Sequence, residues 1–134
     1  MKIVGVTPEK TFVEQDATFV VVPLYDGEYG IGLDHSPVVG RIGAGEMRLT
    51  LEDGSVESWY VEGGFVEVVN NTISLLVNRA CETKSLNVDE ARKRLQEALQ
   101  RPSNSPELIE MKAEAVERAR AQLRFAQKFQ TIKS

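Results

Sequence analysis

Two hydrophobic periods divide the chain. Up to Val77, apolar residues come in short runs or alternate with polar ones; from Val88 onward they recur every three or four positions. The first spacing is that of β-strands and the second that of α-helices. Strands are predicted at Lys2 to Val6, Thr11 to Gln15, Thr18 to Pro23, Tyr29 to Gly32, Val38 to Ile42, Glu46 to Leu51, Val56 to Val61, Phe65 to Val69 and Thr72 to Val77. Asp26-Gly27, Glu52-Asp53-Gly54 and Asn70-Asn71 are turn signals, and Gly43, Gly45 and Gly63-Gly64 are expected to break the strands around them. Short strands every 8–12 residues or so, punctuated in this way, predict an antiparallel β-sandwich or flattened barrel.

The helical part begins with Asn87 as a candidate N-cap, with Glu90 three residues later. Val88, Ala91, Leu95, Ala98 and Leu99 give the first apolar stripe, which Pro102 ends. Ser105 caps a second helix that carries Pro106 at its first position and runs toward Gln130. Its stripe is Leu108, Met111, Ala115, Ala119, Leu123 and Ala126, with Val116 and Phe129 on the margin. The short connection predicts an antiparallel hairpin. The stripes are rich in alanine, which buries little area, so the hairpin is expected to be weakly packed and able to open. The fold class is therefore α+β in two units, a β domain over residues 1–85 and a helical hairpin over residues 86–134.

Charge follows the same division. Residues 1–85 carry 6 basic and 13 acidic side chains, while residues 86–134 carry 10 basic and 7 acidic. After Glu117 no acidic side chain remains, whereas Arg118, Arg120, Arg124, Lys128 and Lys133 follow. Two units with different partners are expected. The overall charge of -4 argues against nucleic acid as the main partner. No apolar run approaches the roughly 20 residues of a membrane span, so direct membrane insertion is not expected. Met1 to Thr7 match neither a signal nor a transit peptide, and the chain is expected to work where it is made. A single cysteine, Cys81, rules out an internal disulfide, and a single histidine, His35, rules out a multi-histidine metal site. No P-loop or nucleophile motif occurs, so a small hydrolase is the weakest functional reading.

Several segments resemble the epsilon subunits of F-type ATP synthases. Asp26-Gly27-Glu28-Tyr29-Gly30-Ile31-Gly32-Leu33-Asp34-His35-Ser36-Pro37-Val38-Val39 is similar to that family's loop signature, and Glu62-Gly63-Gly64-Phe65-Val66-Glu67-Val68 to its double-glycine strand. Gly43 to Arg48, Asn78-Arg79-Ala80, Val88 to Arg92 and Ala121 to Arg124 follow the family in order. The resemblance implies a sandwich of about ten strands followed by two helices. It implies a non-catalytic central-stalk subunit that couples the c-ring rotor to the catalytic head in proton-driven ATP synthesis, with the gamma subunit and c-ring as partners. Its C-terminal helices would restrain ATP hydrolysis through transient contact with the catalytic alpha and beta subunits. Peripheral placement on the cytoplasmic face of a bacterial inner membrane follows from it, as part of the complex. The alternative is an ATP-sensing module whose hairpin binds nucleotide; no cofactor is required, and ATP would be a regulatory ligand.

Four groups of residues are the candidates. Glu28, Asp34 and His35 would meet the polar loops of the rotor ring, against the plainer reading of a solvated hairpin whose histidine bonds its own loop. Among the aromatics, Trp59 and Phe65 are expected in the core, and Tyr60, on the opposite face by alternation, on the gamma-facing surface. Asp89 and Arg92, with Arg118 from the second helix, match positions where some family members hold ATP, though Lys93 and Gln122 depart from that pattern; the plainer reading is a surface ion pair. Arg118, Arg120, Arg124 and Lys128 would form the inhibitory basic face, against the plainer reading of a solvated helix.

Overall fold

The computed structural model describes residues 1–133, with side chains described through Lys128. Phe129 and Lys133, assigned above to the stripe margin and the basic run, have side chains outside the described residues. The chain divides into two units, Met1–Glu82 and Thr83–Ser134.

The first unit is one seven-stranded sheet: β1 (Lys2–Val6), β2 (Thr11–Asp16), β3 (Phe19–Leu24), β4 (Gly27–Gly32), β5 (Val38–Thr50), β6 (Val56–Val69) and β7 (Thr72–Glu82). The strand order is β2-β1-β7-β6-β5-β3-β4. Adjacent strands are antiparallel except β1 and β7, which run parallel and pair Ile3 with Ile73. The expected sandwich followed by two helices stands; the strand count is seven against about ten, and one adjacent pair runs parallel. The count falls because β5 and β6 are 13 and 14 residues long and run straight through the glycines read as breaks.

Those glycines bend the strands and change which face looks inward. In β5 the buried core residues are Ile42, then Met47 and Leu49; in β6 they are Val61, then Val66 and Val68. In both strands the inward set shifts from one parity to the other across the glycines, a change that a regular period of two forbids. Strands that cross from one layer of a sandwich to the other bend in this way. Gly64 permits the bend in β6: its φ is +117°, and a Cβ there would stand 1.9 Å from the carbonyl oxygen of Leu76. Both edge strands, β2 and β4, contribute to one buried cluster through Val13 and Ile31, so the sheet closes over a single core.

The second unit starts with a 3₁₀ turn, Thr83–Ser85, followed by α1 (Val88–Leu99) and α2 (Pro106–Lys133). The Asn87 side chain accepts a hydrogen bond from the Glu90 N–H at 3.1 Å, and the Ser105 hydroxyl accepts one from the Leu108 N–H at 3.2 Å. Both caps satisfy helix-end donors that would otherwise lack a partner. The hairpin seam is Ala98 against Ala115 and Ala119, flanked by Leu95 and Val116. Gln122 is buried in α2 and its Oε1 accepts from the Arg94 guanidinium at 3.1 Å. Leu99 and Met111, expected in the stripes, are exposed.

Candidate functional site

The segment from Gly27 to Pro37 is a strand followed by a loop, and its three candidates separate. Glu28 opens β4, where its carboxylate meets the Arg48 guanidinium at 2.9 Å. Arg48 is also bound by the buried Glu46 at 3.1 Å, and Ser58 donates to the same carboxylate at 2.5 Å. Asp34 and His35 lie beyond the other end of β4, six and seven residues further along the chain. Glu28 therefore belongs to a sheet-face ion pair and not to the loop that carries the other two.

At that loop, His35 is held through both ring nitrogens. Its Nε2 lies 2.8 Å from the Tyr29 hydroxyl and its Nδ1 lies 2.7 Å from the Ser36 carbonyl oxygen. A neutral ring that donates from Nδ1 and accepts at Nε2 satisfies both contacts. Tyr29 and His35 also stack edge to face, with ring centroids 5.5 Å apart. Asp34 has φ of +59°, a left-handed conformation that Asp and Asn tolerate better than most residues. Its N–H donates to Asn71 Oδ1 at 2.6 Å, while Asn71 Nδ2 donates back to Asp34 Oδ1 at 2.9 Å.

The aromatic residues of β6 require a correction. Tyr60 does lie on the face opposite Trp59, but it is 0% exposed and its hydroxyl donates to Glu62 Oε1 at 2.7 Å. It offers no surface to a partner. Residues 60 to 62 are all buried, so the sheet is covered on both faces here, which alternation alone does not reveal. Burial and the adjacent Glu62 carboxylate push the Tyr60 hydroxyl well above the ordinary phenol range, so it remains a donor. Trp59 packs beside the core against Phe12, with ring centroids 5.2 Å apart. Phe65, expected in the core, is 58% exposed. It shares parity with Glu67 in β6, the one signal in the sequence that points it outward.

Phe65 stands within an exposed strip that crosses three strands. It pairs in register with Arg41 of β5 and with Leu76 of β7. The Arg41 guanidinium lies over the Tyr25 ring, 4.7 Å from its centroid, and Val39 follows on the same side of β5. Tyr25, Val39, Phe65 and Leu76 are all exposed. Their arrangement comes from register, which no local sequence feature shows.

In the hairpin, Arg94 meets Gln122, which fixes the antiparallel alignment of the helices. Asp89 and Arg92 therefore lie alongside the part of α2 that follows Gln122, whereas Arg118 lies one turn before it. At 1.5 Å per residue, Arg118 is offset from Arg92 by about 9 Å along the axis. Asp89 and Arg92 are exposed, and Arg118 forms an ion pair with Glu114 at 3.9 Å. The basic residues also divide. Arg120, Arg124 and Lys128 recur every fourth position and share one side of α2, while Arg118 is turned about 200° from Arg120. Arg120 and Arg124 line a groove of about 540 Å³ with Lys112, Ile109, Glu117 and Ser103. The Arg124 and Lys128 cations each lie 6.0 Å from the Phe125 ring centroid.

The model of the ATP synthase Delta/Epsilon chain beta-sandwich domain matches residues 1–83. An ATP synthase epsilon chain from Rhodopirellula baltica is 43% identical over 124 residues, 92% of this chain and 96% of the relative. The chain belongs to the ATP synthase epsilon-chain family. As a member it is a non-catalytic subunit of that synthase. A sodium-ion-specific epsilon chain from Propionigenium modestum is 32% identical over 69% of this chain and 66% of its own length. Among solved structures, a chain of the Euglena gracilis mitochondrial ATP synthase (OSCP/F1/c-ring) aligns with a TM-score of 0.75 at 17% identity, covering 89% of this chain and 76% of that one. A chain of the Tetrahymena thermophila mitochondrial ATP synthase central stalk/c-ring aligns with a TM-score of 0.73 at 14% identity, covering 93% and 95%. At those identities the likeness is one of fold. Among the described residues no helix of this epsilon-family chain is long and apolar enough to cross a membrane.

Proposed function

We propose that this epsilon-family chain works in the central stalk of an F-type ATP synthase, joining the c-ring rotor to the gamma subunit in proton-driven ATP synthesis. Family membership and the origin of both fold neighbours in synthase assemblies support that place. The observation that carries it is the strip of Tyr25, Val39, Phe65 and Leu76, exposed apolar side chains with Arg41 among them, on a sheet whose opposite face is already filled. Such surface marks a protein docking face, and we assign it to the gamma subunit in place of Tyr60. Asp34 and His35, at the β4–β5 loop, would face the polar loops of the rotor ring; Glu28 would contribute only through Arg48. The complex would sit at the cytoplasmic face of a bacterial inner membrane, with this subunit peripheral to it. Replacing Phe65 by Glu tests the assignment. The variant should keep its fold but fail to co-purify with the gamma subunit, and full retention of gamma would remove the strip from the interface.

The hairpin supports a second role, restraint of ATP hydrolysis. Its alanine seam holds the helices weakly, and Arg120, Arg124 and Lys128 present one basic side to an acidic segment of the catalytic alpha and beta subunits. ATP would act here as a regulatory ligand that biases the folded hairpin, drawing on Asp89 and Arg92, which are exposed one turn apart on α1. Deleting residues 86–134 should leave assembly intact and raise the ATPase rate of the complex; an unchanged rate would argue against restraint.

A further inference from the structure

The β6–β7 turn holds an unusual choice of residue. Asn70 and Asn71 have φ of +50° and +59°, so the two-residue turn needs left-handed backbone at both positions. The second position of such a turn favours glycine, as in the common Asn-Gly pair. Asn71 occupies it instead and uses the side chain that glycine lacks: Oδ1 accepts from the Asp34 N–H and Nδ2 donates to the Asp34 carboxylate. Its own carbonyl accepts from the Lys2 N–H at 3.0 Å. One residue thus joins the start of β1, the β6–β7 turn and the β4–β5 loop, segments that are far apart in sequence.

Two features show what this linkage holds. Asp34 also has positive φ, so the loop at this point adopts a backbone that most non-glycine residues resist and that Asp tolerates better. Next to it, His35 is already fixed by Tyr29 and by the Ser36 carbonyl. The loop is therefore tied at two successive residues, one by its own strand and one by Asn71 from another hairpin. Leu33, next to Asp34, and Val69, next to Asn70, are exposed apolar groups.

We propose that Asn71 is a positioning residue for the rotor-facing loop, acting through Asp34 so that the β4–β5 loop and the β6–β7 turn present one rigid surface to the c-ring. The proposal rests on the assignment of that loop to the rotor. It also gives Asp34 a role other than charge: its carboxylate is occupied in orienting the loop.

The test uses the full chain assembled into the synthase and reconstituted in vesicles, with proton-driven ATP synthesis and amide exchange across residues 33–37 as readouts. Asn71→Asp sets two carboxylates against each other and should lower coupled synthesis about two- to fivefold while speeding loop exchange. The double variant Asp34→Asn with Asn71→Asp exchanges donor and acceptor and should restore both readouts. Asp34→Asn alone keeps an acceptor oxygen and the backbone bond, and should behave close to the parent. Asn71→Gly retains the turn and serves if Asn71→Asp does not fold. Leu33→Asp separates the two levels of the argument. If it lowers synthesis while the Asn71 variants match the parent, the positioning role is overturned and the rotor assignment stands. If it too has no effect, both are overturned. A loss in Asp34→Asn equal to that in Asn71→Asp would mean that the charge matters and the clamp does not.

Discussion

In the β unit, fifteen buried residues, mostly Val, Ile, Leu and Met, form one cluster; the hairpin seam is built on Ala98, Ala115 and Ala119. Burying a Val, Leu or Ile side chain contributes about 1.5–3 kcal/mol, and a single methyl group about 0.8 kcal/mol. The hairpin seam also admits a buried Gln122 that depends on Arg94 for its partner. The comparison teaches a difference in packing: a closed apolar core is held by many large buried side chains, whereas a thin seam with a polar member is held by little buried area.

The largest test of this contrast is Gly64→Ala. A Cβ there would meet the Leu76 carbonyl oxygen at 1.9 Å, backbone that cannot rotate away, and φ of +117° is hostile to any side chain. The β unit should lose at least about 3 kcal/mol and fail to melt cooperatively, which thermal unfolding by circular dichroism will read. Next in size, Ala119→Glu places a charge in the hairpin seam. Amide exchange should accelerate throughout α1 and the facing part of α2, by about 2 kcal/mol of lost protection, while the strands keep theirs. If the strands loosen equally, the two units are not energetically distinct. Gln122→Leu should sharpen the comparison from the other side. It swaps the buried amide for an apolar group, and the seam should change by no more than about 1 kcal/mol, because Arg94 is exposed enough to return to water.

The smallest effect concerns Tyr60. Its folded-state pKa is raised by burial and by Glu62, so its contribution is fully present below the unfolded phenol value of about 10. That contribution is lost as the pH rises beyond it. Tyr60→Phe should therefore flatten the alkaline decline in melting temperature above pH 10 or so. An alkaline decline identical to the parent's would place the sensitive group elsewhere.

What could be read in advance was local. Asn87 and Ser105 cap their helices because a side-chain oxygen reaches an amide two or three residues away, a distance set by helix geometry alone. Asp26-Gly27 and Asn70-Asn71 turn the chain because short polar residues and glycine tolerate positive φ. Glycine itself was ambiguous. Gly63-Gly64 permits a break or a bend, and only pairing with β5 on one side and β7 on the other decides for a continuous bent strand.

The chain's own residue order determined the two units, the caps, most of the turns and the alternation that sets Tyr60 opposite Trp59. Tertiary structure decided which faces are covered, and so moved Phe65 outward and Tyr60 inward. It also brought Asn71 to Asp34 and parted Glu28 from the loop. The reason is one of range. Period and capping act over a few residues of backbone, whereas coverage and cross-strand partners depend on sheet register, which is fixed only when distant segments meet.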